Sequence, residues 1–229
     1  MRVSELFYSL QGEGKLIGVP SVFVRASGCN LRCVWCDTPY ASWEPEGDQQ
    51  SVAAIVDAIA KHPTAHVVLT GGEPMIMPDI VELCDALAER KYHITMETAA
   101  TVYKPVKIHL ASLSPKLSNS TPHTRQDGKF AVMHEQQRLN VPVIQQFIDA
   151  SEDFQLKFVV ARPQDMNEIH ALLAQLHHWR PADVQLMPEG TDVATLHSRT
   201  AWIDSVCKQT GFRYTPRLHV ELYGNRRGT

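Results

Sequence analysis

Two hydrophobic periods take turns along this chain. Ser21-Val22-Phe23-Val24-Arg25 is a run of β-branched and aromatic residues that predicts a strand. Ser51 is placed to cap a helix carrying Val52, Ile55, Val56 and Ile59 on one face. His66–Thr70 predicts a strand, and Gly71-Gly72-Glu73-Pro74 then turns the chain. The period returns to helical over Pro78–Lys91 and to extended over His93–Glu97 and Lys107–Ala111. Residues 117–140 are polar and weakly periodic, and predict a loop. A helix over Val143–Ala150, a strand over Phe154–Val160 and a helix over Asp165–Trp179 follow. Then come a strand over Val184–Met187, a helix over Ala194–Thr210 stopped by Gly211, and a last strand from Phe212.

Strand and helix alternate about six times, which means a parallel sheet with helical crossovers. Six units are too few for a closed eight-fold barrel. The expected fold is α/β, a partial (β/α)6 barrel or an open sheet, in one domain over residues 1–229. Ligands of such sheets collect at the carboxyl ends of the strands. Gly28-Cys29, Thr70–Glu73, Glu97-Thr98, Ser114-Pro115-Lys116 and Leu186-Met187-Pro188 all fall on that rim.

Composition narrows the partners. With 44% hydrophobic and 21% charged residues the 229-residue chain is globular rather than disordered or fibrous. A net charge of −3 offers no basic field for nucleic acid. No apolar run approaches the ~18 residues of a membrane span. Met1–Glu5 lacks an apolar signal core, so a cytoplasmic location with reduced thiols is expected.

Three of the five cysteines fall within eight residues, Cys29, Cys33 and Cys36, spaced C-x3-C-x2-C. Three thiolates can hold three irons of a [4Fe–4S] cluster and leave the fourth iron open to another ligand. Zinc is a competing reading, but a structural site wants four ligands. No other Cys or His precedes Cys29 or lies between Asp37 and Lys61. Cys84 and Cys207 sit in helical apolar patterns and read as buried thiols. A zinc-binding interaction module stays open as the non-enzymatic alternative.

The cysteine spacing, with Trp35 before the third Cys and Gly71-Gly72-Glu73-Pro74 on the next strand, resembles the radical S-adenosylmethionine (SAM) superfamily. A narrower set is similar to the 7-carboxy-7-deazaguanine synthase family. It comprises Phe7–Gly14, Phe23–Leu31, Trp35-Cys36-Asp37-Thr38, Thr70–Pro74, Glu97-Thr98, Ser114–Lys116, Gln155–Val160 and Leu218-His219. The resemblance implies a lyase that contracts the ring of 6-carboxy-5,6,7,8-tetrahydropterin to 7-carboxy-7-deazaguanine with loss of ammonia, in the queuosine pathway. It implies a [4Fe–4S] cluster, SAM, Mg²⁺, an electron donor such as flavodoxin, and a homodimer. No protein side chain acts as the hydrogen abstractor; SAM supplies the 5′-deoxyadenosyl radical. A glycyl-radical-enzyme activase shares the cysteine spacing but would not require Gln11–Gly14, Arg25 and His219.

By the same resemblance, Trp35, Cys36, Asp37, Gly71, Gly72, Glu73, Ser114, Pro115, Lys116, Gln155, Lys157, Met187 and Pro188 are expected at SAM. Leu10, Gln11, Gly12, Glu13, Arg25, Thr70, Glu97 and His219 are expected at the pterin. Arg25 and His219 are expected to hold its carboxylate from opposite ends of a curled sheet, His219 closing the last strand. Thr38 is expected to give Mg²⁺ one hydroxyl oxygen. The chain departs from the family at Ala99-Ala100, where Asn or Gln and then Gly are frequent. It also continues past His219 through Gly224–Thr229, with Thr229 a candidate contact.

Overall fold

In the computed structural model, which describes residues 1–229, the extended segments join one nine-stranded sheet. In chain order the strands are β1 (Arg2–Leu10), β2 (Pro20–Ala26), β3 (Asp48–Gln49), β4 (His66–Gly71), β5 (His93–Thr98), β6 (Leu110–Leu113), β7 (Asp153–Val160), β8 (Val184–Pro188) and β9 (Arg213–Tyr214). The helices are α1 (Pro39–Ser42), α2 (Val52–Ile59), α3 (Ile80–Glu89), α4 (Ala131–Gln137), α5 (Val141–Ala150), α6 (Asp165–Leu173), α7 (Val193–Thr210) and α8 (Leu218–Tyr223). The spatial order is β3-β1-β2-β4-β5-β6-β7-β8-β9. Every pairing from β2 to β9 is parallel, while β1 and β3 close one edge antiparallel. β3 and β9 end the order without meeting, so the sheet is a partial barrel.

The parallel strands are two-faced. Val24, Leu69, Met96, Leu113, Phe158 and Leu186 belong to one apolar core with helix residues such as Ile55, Leu83 and Phe147. Each such side chain, fully buried, stabilises the fold by roughly 1.5–3 kcal/mol. Their chain neighbours Arg25, Thr70, Glu97 and Lys157 point the other way and line the barrel cavity. The interior is therefore polar, and the core lies between sheet and helices.

The β1–β2 connection floors this interior. Leu10 lies opposite Pro20, so β1 ends at the bottom of the barrel, where β2 begins. The chain then turns inward. Gly12 O accepts from the Leu218 amide (2.9 Å), and the Gly14 amide donates to Thr215 Oγ1 (2.7 Å). Lys15 Nζ donates to Asp153, to Phe154 O and to Asp183 at the feet of β7 and β8. A Cβ on Gly12 would stand 2.1 Å from His219 Nδ1, so a side chain there would displace the imidazole.

Several boundaries differ from the sequence expectation. β1 was not anticipated, because a bulge between Val3 and Glu5 breaks its alternation. β6 runs over Leu110–Leu113, not Lys107–Ala111, because its pairing with β5 begins at Leu110 opposite Thr95. The helix from Asp165 ends at Leu173 rather than Trp179. His219 lies on α8, because the last strand stops at Tyr214 before Pro216. The 117–140 segment contains α4, whose one buried residue is His134, so no apolar stripe announced it.

His134 ties that segment to the cysteine loop. Its Nδ1 accepts the Arg32 amide (3.1 Å), which fixes the neutral tautomer with the proton on Nε2, facing Ser120 Oγ (2.9 Å). Burial pulls its pKa down to about 4. An unfolded His titrates near 6.5, so below that pH the unfolded chain takes the proton first. The stabilisation is complete above about pH 6.5 and is lost as pH falls toward 4. Melting temperature should decline across that window, and less steeply in His134→Gln; equal slopes would refute the assignment.

Candidate functional site

A cavity of about 240 Å³ opens at the carboxyl ends of the strands. Cys29, Cys33 and Cys36 share its wall as free thiols. Their loop leaves β2 and is held from three sides. Trp43 Nε1 donates to Cys33 O (2.9 Å), the Val34 amide donates to Ser120 O (2.7 Å), and the Gly28 amide donates to Ala41 O (2.8 Å). The Leu31 amide reaches Cys29 Sγ (3.3 Å), and Ser42 Oγ lies 3.1 Å from Cys36 Sγ. Burial pushes the Cys29 thiol up to about 12, with Glu73 adding to it, and raises Cys33 as well. Burial thus favours the protonated thiols at Cys29 and Cys33, and cluster assembly must release those protons.

This donor set fits the cluster the spacing implies. Three soft sulfurs surround one cavity, and N–H and O–H groups stand ready beside two of them. Three thiols are one ligand fewer than a closed structural zinc site takes.

The Gly71–Pro74 turn packs against this loop. The Gly72 amide donates to Ala26 O (3.0 Å) and the Glu73 amide to Gly28 O (2.9 Å). A Cβ on Gly72 would lie 2.0 Å from Gly28 O, which excludes any side chain. Gly72 faces the cavity. Glu73 does not: its carboxylate is fully buried and accepts from Thr98 Oγ1 (2.6 Å) and the Met75 and Ala99 amides. Burial raises its pKa, and those three donors offset the rise. Glu73 therefore braces the loop after β5. In that loop Ala100 takes a left-handed φ of 56°, a strain of roughly 1–2 kcal/mol that glycine would avoid.

The opposite wall is charged. Glu97 accepts from Gln11 Nε2 (3.1 Å) and Thr70 Oγ1 (2.8 Å). Glu13 pairs with Lys157 and with Arg217 Nε (3.3 Å). Burial would raise the Glu13 pKa, but Lys157 and then Arg217 hold it far below the carboxylate range. Arg217 also pairs with Asp37, lowering its pKa against burial, and donates to Gly190 O (2.6 Å). Arg25 Nε donates to Glu5 Oε1 (2.6 Å), which also accepts from Tyr40 OH (2.7 Å). Arg25 also sits over the Phe7 ring, which stacks on Phe23. Burial lowers the His219 pKa, so it is held toward the neutral form.

Most expected residues meet here. Leu10, Gln11, Gly12, Glu13, Arg25, Thr70, Glu97 and His219 line the cavity with the three cysteines. Trp35, Asp37, Thr38, Gly72, Ser114, Lys116, Lys157 and Met187 line it too. Gly71, Glu73, Pro115, Gln155 and Pro188 do not. Gln155 is consumed within the barrel, donating to Ser112 Oγ (2.8 Å) and accepting the Lys15 amide (2.7 Å). Lys157 is committed to Glu13 on the floor. Arg217, Glu5 and Tyr40 were missed. Arg217 stood two residues before His219 in Thr215-Pro216-Arg217-Leu218-His219, and that proximity was its signal. Asn225, Arg226, Arg227 and Thr229 also reach the cavity rim.

The Radical SAM superfamily profile matches residues 23–115. A 7-carboxy-7-deazaguanine synthase of Rhodopirellula baltica is 45% identical over 99% of this chain and 88% of its own length. One from Halobacterium salinarum is 48% identical over 97% and 90%. The crystal structure of QueE from Escherichia coli superposes with a TM-score of 0.72 at 25% identity, covering 95% of this chain and 94% of its own. Streptococcus suis SuiB bound to S-adenosylmethionine shares the fold alone, with a TM-score of 0.57 at 14% identity over 86% of this chain and 51% of its own.

Proposed function

The chain belongs to the 7-carboxy-7-deazaguanine synthase family, and from that premise we propose how its cavity does the work of a radical SAM ring-contracting lyase. The substrate is 6-carboxy-5,6,7,8-tetrahydropterin, the product 7-carboxy-7-deazaguanine, and ammonia leaves. One observation carries the reading. Three cysteine thiols and the Gln11, Glu13, Glu97, Arg25 and His219 set face each other across a single cavity.

When bound, the cluster and SAM supply the one-electron cleavage chemistry that removes a hydrogen atom from the substrate. The chain's residues bind, orient and shield. Glu13 and Glu97 present carboxylates to the ring N–H and amino donors of a pterin, and Gln11 supplies an amide between them. Thr70 holds Glu97 in place. Glu5 occupies the Nε edge of Arg25, which leaves the other guanidinium nitrogens for a substrate carboxylate. His219 completes that clamp from α8, on the far side of the Gly12 turn. Trp35, Asp37, Gly72, Ser114, Lys116 and Met187 face SAM. Phe7, Phe23 and Val159 wall the cavity with apolar surface that keeps water from the reacting centre.

The chain works as one catalytic domain over residues 1–229 in the cytoplasm, as a homodimer reduced by a donor such as flavodoxin. No helix is long and apolar enough to cross a membrane. Anaerobic reconstitution followed by SAM, dithionite and the carboxytetrahydropterin should yield the deazaguanine chromophore. SAM cleavage without that product would reject the substrate.

A charge-assisted hydrogen bond to a buried carboxylate contributes roughly 1.5–3 kcal/mol, or about 10- to 150-fold in affinity. Arg25→Ala and His219→Ala should each weaken pterin binding by that order and keep SAM binding. A pterin analogue without the carboxylate should lose little further affinity in them. Normal binding of the carboxylated pterin by both variants would remove the clamp.

Thr38, at the start of α1 and on the cavity wall, is the proposed Mg²⁺ ligand. Mg²⁺ keeps most of its waters, so one hydroxyl with the substrate carboxylate suffices. Added Mg²⁺ should raise turnover severalfold in the wild type and not in Thr38→Val. An undiminished response in the variant would dismiss the site.

A further inference from the structure

Arg217 stands where three segments meet, in the turn between β9 and α8, with its side chain 7% exposed. Its Nε donates to Glu13 on the barrel floor. One terminal nitrogen donates to Gly190 O beyond β8 (2.6 Å). The other pairs with Asp37, the residue after Cys36. Lys157 also holds Glu13 but donates to nothing else, so it steadies the floor without reaching the cysteine loop.

We propose that Arg217 is a positioning residue that couples the pterin end of the cavity to the SAM end, so that each ligand tightens the other. The inference rests on the reading of Glu13 as a pterin contact and Asp37 as a SAM contact.

A guanidinium is planar and rigid, so its three hydrogen-bonding edges move together. The guanidinium is buried and the Glu13 carboxylate nearly so, while Asp37 is a third exposed, so the bond at the Glu13 end is the costlier one to lose. A pterin's N–H donors fix the direction of the Glu13 carboxylate. A fixed Glu13 fixes the guanidinium plane, and Gly190 O supplies a backbone anchor against which it registers. The plane then fixes Asp37 and the backbone of residues 35–37, which face SAM. Each ligand that restrains one end of this bridge restrains the plane that the other end shares. By thermodynamic linkage the effect must be equal in both directions.

The test uses anaerobically reconstituted holoenzyme with 6-carboxypterin, the fluorescent oxidised form of the substrate, as probe. Its affinity is measured with and without SAM, and SAM affinity with and without the pterin. In the wild type each should lower the other's Kd by one shared factor, on the order of tenfold. Arg217→Lys keeps the charge, but its point-like ammonium cannot hold three acceptors in a plane. It should bind each ligand alone within a few-fold of wild type, while the shared factor falls toward one. Asp37→Asn weakens the same bridge from its other end. It should lower the factor too, which covers the case in which the arginine variant does not assemble. No mutual effect in the wild type, or an undiminished factor in both variants, overturns the proposal. Glu13→Gln with 6-carboxypterin alone separates the two levels. Unchanged pterin binding there defeats the Glu13 assignment and the proposal with it. Weakened binding there, with an undiminished factor in the bridge variants, defeats the coupling alone.

Discussion

Cys33→Ala yields a protein without its cluster and without turnover. Cys33, Cys29 and Cys36 face one cavity, and His219 on α8 is the one further Cys or His that lines it. Nothing nearby can replace a lost sulfur. Iron should drop from about four per chain to near zero, since two thiolates hold a cubane poorly. Cys84 and Cys207 supply the control. Cys84 is fully buried in the apolar core on α3, and Cys207 packs against that core from α7. Cys84→Ala should cost about 1 kcal/mol of stability and keep full iron and sulfide. Full cluster content after Cys33→Ala, or its loss in a folded Cys84→Ala protein, would contradict the assignment.

Glu13→Ala should destabilise the fold by about 3–5 kcal/mol. The carboxylate lies between Lys157 and Arg217, both with side chains 7% exposed. Removing it leaves the Lys157 ammonium buried without its anion, the costly half of a broken buried pair. Arg217 keeps Asp37 and Gly190, so the lysine is the exposed weakness. At about 2–4 °C per kcal/mol for a chain of this size, the melting temperature should fall by roughly 6–20 °C. Glu13→Leu combined with Lys157→Met removes both charges and should recover much of the loss. Urea unfolding of the two variants decides the matter. A single substitution that costs less than about 1 kcal/mol would mean that water, not the carboxylate, solvates the lysine.

The sequence carried its chemistry best where the chain must be both specific in residue type and fixed in spacing. The cysteine triplet and the Gly71–Pro74 turn were readable because each imposes a local pattern. The parallel strands were readable for the same reason: one face must be apolar to meet the helices. What escaped lay in long-range partners. Glu5 looks like a surface acid at the start of the chain, and only the antiparallel pairing of β1 with β2 sets it beside Arg25. Gln155 carries the right chemistry for a ligand contact, yet the floor loop claims its amide. His219 lines the cavity from a helix and not from the last strand, because the chain turns at Pro216. α4 hid because a histidine, and not an apolar stripe, anchors it.

The floor that the β1–β2 connection lays inside the barrel has a consequence for synthesis. Gly14 bonds to Thr215, Gly12 to Leu218, and Glu13 to Arg217, contacts that span about two hundred residues of chain. The cysteine loop, by contrast, leans on Trp43, Ser120 and His134, all translated much earlier. On a ribosome the supports of the cysteine loop are therefore made before the segment that completes the floor. Contacts of such sequence separation form late. The base of the barrel is complete only once residues 215–218 are present. A nascent chain stalled before that point should lack the floor of the cavity while its cysteine loop is already supported.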